Sequence, residues 1–281
     1  MAKDTLTVRP AQSWDAWVAQ AARRQTEPSK GSCDGRKNTD AWSGASYEAA
    51  LNMAQHGWQA GAANVAELLD TLPAAEEVLP DWTMEVAGAM PCVPAYLSGD
   101  PECMFSMRDN ARPDRRITLA VPATCSATVR ADSMLNYARA VAAVVRSLDA
   151  SGVSVAVYRL FAGEGNHTGR LVHGHAVREH GEPLDLGKIA FAFHPAAFRR
   201  LTFCWLDVDD VAHTDFANGG RGRVLPLTSS IVRNALPDIG QCVIFPELNK
   251  LDDDGLLRDG ALSRLIAILR QTVASAIEAT G

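Results

Sequence analysis

No CxxC pair occurs in the chain: its six cysteines stand at positions 33, 92, 103, 125, 204 and 242. That spacing excludes a zinc knuckle, and a chain this long and core-rich needs no disulfide framework. Cys125, Cys204 and Cys242 lie inside apolar runs and read as small buried hydrophobes. No run approaches the roughly 18 uninterrupted apolar residues of a membrane helix. The opening MAKDTLTVRPAQSW has no apolar signal core. These absences predict a reduced, cytoplasmic protein with no membrane partner. A surplus of positive charge is also missing, since 27 Lys and Arg face 33 Asp and Glu for a net charge of −6. Clustered cations that would neutralise a phosphate backbone are not expected, and Arg112, Arg115, Arg116, Arg221 and Arg223 read as solvated surface.

Catalytic signatures are lacking too. There is no G-x-S-x-G and no H-E-x-x-H, and sequence spacing places no base beside Cys125. The glycine-rich stretches 162–169 and 218–223 do not lead from a strand into a helix with nucleotide-binding spacing, so both read as mobile surface loops. The run Asp252-Asp253-Asp254-Gly255 lacks the alternating ligands and terminal Glu of a calcium loop. It reads as an acidic approach to the last helix.

What remains is an ordinary packed composition: 281 residues, 47% hydrophobic and 21% charged. Residues 1–40 hold a short helix around Ser13–Arg24 and then a polar stretch with too little apolar surface to offset ordering entropy, so the segment is read as flexible. Residues 41–78 predict a helical hairpin. Ser46 caps the first helix, Gly57 closes it, and Ala62, Val65, Leu68 and Leu69 line the second. Residues 79–114 combine several prolines with apolar anchors (Trp82, Val86, Val93, Tyr96, Leu97, Met104) and read as an irregular packed connector.

From residue 115 the pattern is α/β. ITLAVPA (117–123) is a strand buried on both faces. A long amphipathic helix follows, capped by Asp132 or Ser133 and ended by Gly152, and VSVAVYRLFAG (153–163) is the next strand. Strand, long helix and strand demand a parallel crossover. VHGHAVREHG (172–181) alternates in polarity and so reads as near an edge. A His194-Pro195 break and a short helix come next, then the strand QCVIFPEL (241–248) and a final amphipathic helix. The expected architecture is doubly wound α/β with a mostly parallel sheet.

The order of elements over 115–281, best in ITLAVPATCSATVRADSMLNYARAVAAVVRSLDASGVSVAVYRL, resembles a von Willebrand factor A (vWA) domain. The wider set W-S-G-x-S-Y-x-x-A, G-W-x-x-G, V-P-A-Y-L-x-G-D-P and H-P-x-x-x-R-R resembles an uncharacterised family found mostly in bacteriophage and prophage genomes, without an established activity. The vWA resemblance implies a D-x-S-x-S metal loop after the first strand. Here those positions read Pro122-Ala123-Thr124-Cys125-Ser126, so two hydroxyls survive and the carboxylate is a proline. Magnesium needs oxygen ligands that usually include a carboxylate. The degenerate site is therefore expected to be metal-free, and Thr124 and Ser126 to serve loop backbone groups.

The expected contact surface is the crevice beyond the strand ends, with Thr124, Ser126, Asp132, Arg199, Arg200 and Glu247. Its expected occupant is a protein partner. The expected role is that of a non-enzymatic binding or assembly protein of phage origin, with virion association left open. The alternative is a divalent-metal protein holding Mg²⁺ or Zn²⁺ through His173, His175 and Glu247, either an adhesion-type binder or a hydrolase. His173 and His175 are two apart on a strand and share a face. They are read first as exposed edge-strand histidines. A third alternative is a nucleic-acid-associated protein using the arginines at 112–116 and 221–223.

Overall fold

The computed structural model describes residues 5–23, 39–70, 81–88, 90–108, 116–165, 169–208, 223–236, 240–258 and 260–278. The chain opens with β1 (Thr5–Ser13) and α1 (Trp14–Ala22), and continues through α2 (Thr39–Ser43) into the helical pair α3 (Tyr47–His56) and α4 (Gln59–Asp70). A small unit follows: β2 (Asp81–Glu85), β3 (Met90–Pro91), α5 (Val93–Leu97) and β4 (Met104–Arg108). The main α/β run comprises β5 (Arg116–Pro122), α6 (Ala131–Ala150), β6 (Ser154–Glu164), β7 (Gly169–Arg178), α7 (Leu186–Ala192), a π-helical turn (Ala197–Thr202) and α8 (Phe203–Val208). It closes with α9 (Ser229–Ala235), β8 (Cys242–Ile244), α10 (Leu248–Asp253) and α11 (Leu262–Glu278).

The main sheet runs β1-β7-β6-β5-β8. β6 and β8 both pair parallel to β5, β7 returns antiparallel to β6, and β1 pairs parallel to β7. β5, α6 and β6 thus form the parallel crossover that the spacing predicts. Alternation sorts the strands by face. Ile117, Leu119, Val121, Val155, Val157 and Phe161 join one buried cluster, which also takes in α1, the α3–α4 pair, α6, α7, α8 and α11. Ala120, Ala156, Tyr158, Leu160 and Ala162 face the other way, against Val232, Ala235 and Leu236 of the α9 segment. Small residues on that side let one short helix lie close. The winding is therefore uneven, with a single helix on the second face among the described residues.

Four sequence readings change. Residues 5–13 are not flexible: β1 is an edge strand, and it leads into the expected short helix, α1, capped by Ser13 with Trp14 and Trp17 fully buried. Pro10 lacks an amide hydrogen and the register shifts between Arg9 and Gln12, both features tolerated at a sheet edge, which is why the segment looks unstructured in sequence. β7 consequently lies inside the sheet, and its alternation marks a polar layer under helices rather than solvent. α6 has Arg130 at its N-cap with no side-chain bond; Asp132 sits in its first turn, and Ser133 donates to Asp252 instead. The 79–114 connector carries a small three-stranded sheet, order β2-β4-β3, and none of its described side chains enters either buried cluster.

Gly57 closes α3 at φ 78° and faces Gly187 across a close approach, where Trp58 N donates to Gly187 O at 3.0 Å. A Cβ on Gly57 would stand 3.1 Å from the Gly187 carbonyl carbon. Gly57→Ala is expected to lose about 1–3 kcal/mol from the extended positive-φ backbone (ψ 157°) alone, and more from separating α3 from α7, as read by urea unfolding.

Candidate functional site

The loop after β5 is the end of the sheet where the sequence places the contact surface. Pro122 and Ala123 are buried there. Thr124 is also buried, and its Oγ1 accepts from the Ala162 amide at 2.8 Å, so this hydroxyl ties β5 to β6. The Ser126 amide donates to Asn249 Oδ1 at 2.9 Å, and its Oγ accepts from the Thr128 amide and hydroxyl. Glu247 accepts from the Leu227 amide at 3.4 Å. Asp132 pairs in the open with Arg130 at 3.1 Å. Beside it lies a depression of about 570 Å³ lined by Thr128, Arg130, Asp132, Ser133, Asp252 and Arg258.

Arg199 and Arg200 do not face this depression. They leave the π-helical turn buried, and they fasten neighbouring segments. Arg199 donates to the carbonyls of Trp42 and Val129 and stacks over the Trp42 ring at 4.4 Å. Arg200 donates to Ala45 O and pairs with Asp40 at 2.8 Å. Arg199 also touches the Cys125 thiol, whose pKa burial pushes up to about 11 against the opposing pull of that guanidinium. Of the six predicted surface residues, then, three (Thr124, Arg199, Arg200) are internal fasteners.

His173 and His175 do share a face, but they are buried, not exposed. They point into the helical side of the sheet, where His173 stacks flat on Trp205 at 5.0 Å and His175 lies 4.9 Å from the Trp17 ring. Glu247 follows β8, three strands across the sheet from β7, and its carboxylate accepts from the Leu227 amide. Among the described residues no group of three His, Cys, Asp or Glu side chains is placed to hold a metal. The histidine pair is instead completed by Arg159, its cross-strand partner, which is fully buried. Arg159 Nη1 donates to His175 Nδ1 at 3.2 Å, Nη2 donates to Thr202 Oγ1 at 2.7 Å, and the guanidinium lies 4.9 Å from the Trp17 ring. Burial, together with His173 and Arg159, holds His175 well below its ordinary value, so it is neutral. Burial also lowers Arg159, to about 9, which leaves it charged at neutral pH.

Arg159 went unnoticed in the sequence because VSVAVYRL reads as an apolar strand with one tolerated charge. The available signal was parity: Val155, Val157 and Phe161 share its face and are all core.

The fold and its strand-end loop define a mixed α/β protein with a five-stranded, mostly parallel sheet flanked by helices. The chain belongs to the family described as domain of unknown function DUF7192, whose model matches residues 3–267. No curated protein and no solved structure matches it. No helix among the described residues is long and apolar enough to cross a membrane.

Proposed function

We propose that the chain is a non-enzymatic protein-binding or assembly protein, built on a vWA-like domain whose metal site is lost. The strand order supports the vWA-like reading. The first strand of the α/β run lies inside the sheet, the second pairs parallel beside it, the third returns antiparallel, and β8 adds on the other side of the first. Pro122 stands where a metal loop needs a carboxylate, and the Thr124 and Ser126 hydroxyls are engaged within the fold. A phage or prophage setting rests on the motif resemblance alone.

The observation that carries the binding function lies away from the strand ends. Of the large hydrophobic side chains exposed among the described residues, all but Leu6 fall on 86–97: Val86, Met90, Val93, Tyr96 and Leu97, between 52% and 78% exposed. Clustered exposure of this kind marks an interaction surface. Asp100 and Glu102 lie open beside it, so its partner is a protein with an apolar centre and a basic rim. A second copy would set like charges together, and anionic lipid would be repelled.

A photo-crosslinking residue at Tyr96 of the full chain, in cells that express it naturally, is expected to trap a discrete protein. Capture should weaken at high salt, survive EDTA, and fall at least tenfold in Val93→Asp/Leu97→Asp. Capture that persists in the double variant, or that requires Mg²⁺, would overturn the reading.

A further inference from the structure

Four of the described arginines are buried, and they fall into two kinds. Arg178 pairs with Asp149 at 2.6 Å and Arg200 with Asp40 at 2.8 Å. Arg159 and Arg199 have no carboxylate partner among the described residues. An isolated buried cation is costly, and interiors normally neutralise it.

The groups around Arg159 are also one-sided in hydrogen bonding. A guanidinium can only donate, so His175 Nδ1 accepts from it. His175 is neutral, and its one proton therefore sits on Nε2. That N–H, Arg159 Nε–H and Trp17 Nε1–H are all buried with no hydrogen-bond partner. The three side chains touch: Trp17 lies 4.9 Å from the Arg159 guanidinium and 4.9 Å from the His175 ring. On these three side chains every orphan is a donor, beside a net positive charge, and the His173 ring lies 4.8 Å from His175.

We propose that this layer, between α1 and strands β6 and β7, is a binding site for one small desolvated anion of chloride size. A water molecule would carry no charge and would bring two hydrogens in need of acceptors. An anion accepts from the orphan donors and neutralises Arg159 at once. The seal sets the size: Trp14, Trp17, Trp205, Phe161 and Phe198 are each at most 2% exposed, which leaves no opening for an organic acid or nucleotide. The ion is a structural component, taken up on folding.

The test is the melting temperature of the full chain in chloride against gluconate at constant ionic strength. Because the ion binds only the folded state, each tenfold rise in saturating chloride should lift Tm by roughly 3 °C. Arg159→Met should lose that dependence. Trp17→Phe keeps the ring, removes one donor and should weaken it, which covers the case in which the methionine variant does not fold. Crystals grown in bromide should show an anomalous peak between Arg159, Trp17 and His175. Equal melting in the two salts, a chloride effect that survives Arg159→Met, or ordered water with no anomalous signal would each overturn the proposal.

Discussion

Trp17→Ala is expected to destabilise the protein by about 3–5 kcal/mol, the range for removing a large buried aromatic. Trp17 is completely enclosed, packed 4.7 Å from Trp14 and against His175, and it supplies the aromatic face beneath Arg159. Truncation leaves a void that the rigid sheet below cannot close, because β7 is held on both sides by β1 and β6. It also removes the cation–π contact that partly compensates an unpaired guanidinium, and such contacts reach about 2 kcal/mol or more when desolvated. Urea unfolding measures the sum. A loss below about 1 kcal/mol would mean that α1 does not seal the sheet and that the first residues dock only loosely.

The same contact shows how far the sequence could be read. Elements with a strong internal period were legible: α1, β5, α6, β6 and α11 fall within a few residues of expectation, because a fully buried strand or an amphipathic helix carries its own signal. Ser46 was legible for a similar reason, since its hydroxyl accepts from the Ala49 amide at 3.2 Å, a purely local bond. β1 was not legible. TLTVRPAQS has a proline and a charge, and only its pairing to β7, more than a hundred and fifty residues on, makes it a strand. Missing β1 placed β7 at the edge, and an edge position made His173 and His175 look solvated.

The strand-end loop was legible in position, but the commitments of its side chains were not. Thr124 bonds an amide thirty-eight residues away, and Arg199 bonds carbonyls at Trp42 and Val129. Tertiary partners of this kind leave no spacing to read. The apolar anchors Val86, Val93, Tyr96 and Leu97 were seen in sequence and read on composition as part of a packed connector, whereas their exposure is a tertiary fact.

Stability is expected to fall steeply with acid, beginning near pH 6.5, well above the range in which carboxylates titrate. Two buried histidines drive this. His194 is lowered from 6.5 to about 4 by burial and then by Arg139, and it is enclosed by Trp58 at 4.7 Å and Phe191 at 5.7 Å. His175 is lowered further by burial, His173 and Arg159. Both are neutral when folded and regain an ordinary pKa when unfolded, so below 6.5 the unfolded chain binds more protons. Their contribution is fully present above pH 6.5 and is lost as pH falls toward 4. At 1.36 kcal/mol per pH unit, His194 alone accounts for about 3 kcal/mol across that window. His194 Nδ1 accepts from the Ala196 amide at 3.0 Å, a bond that an asparagine oxygen can keep. His194→Asn should therefore fold, and it should flatten the urea midpoint between pH 6.5 and 4.5 while leaving the His175 share in place. A wild-type midpoint that is level from pH 7 to pH 5 would mean that water reaches both rings. Loss that begins only below pH 5 would place the acid sensitivity on carboxylates rather than on the two buried histidines.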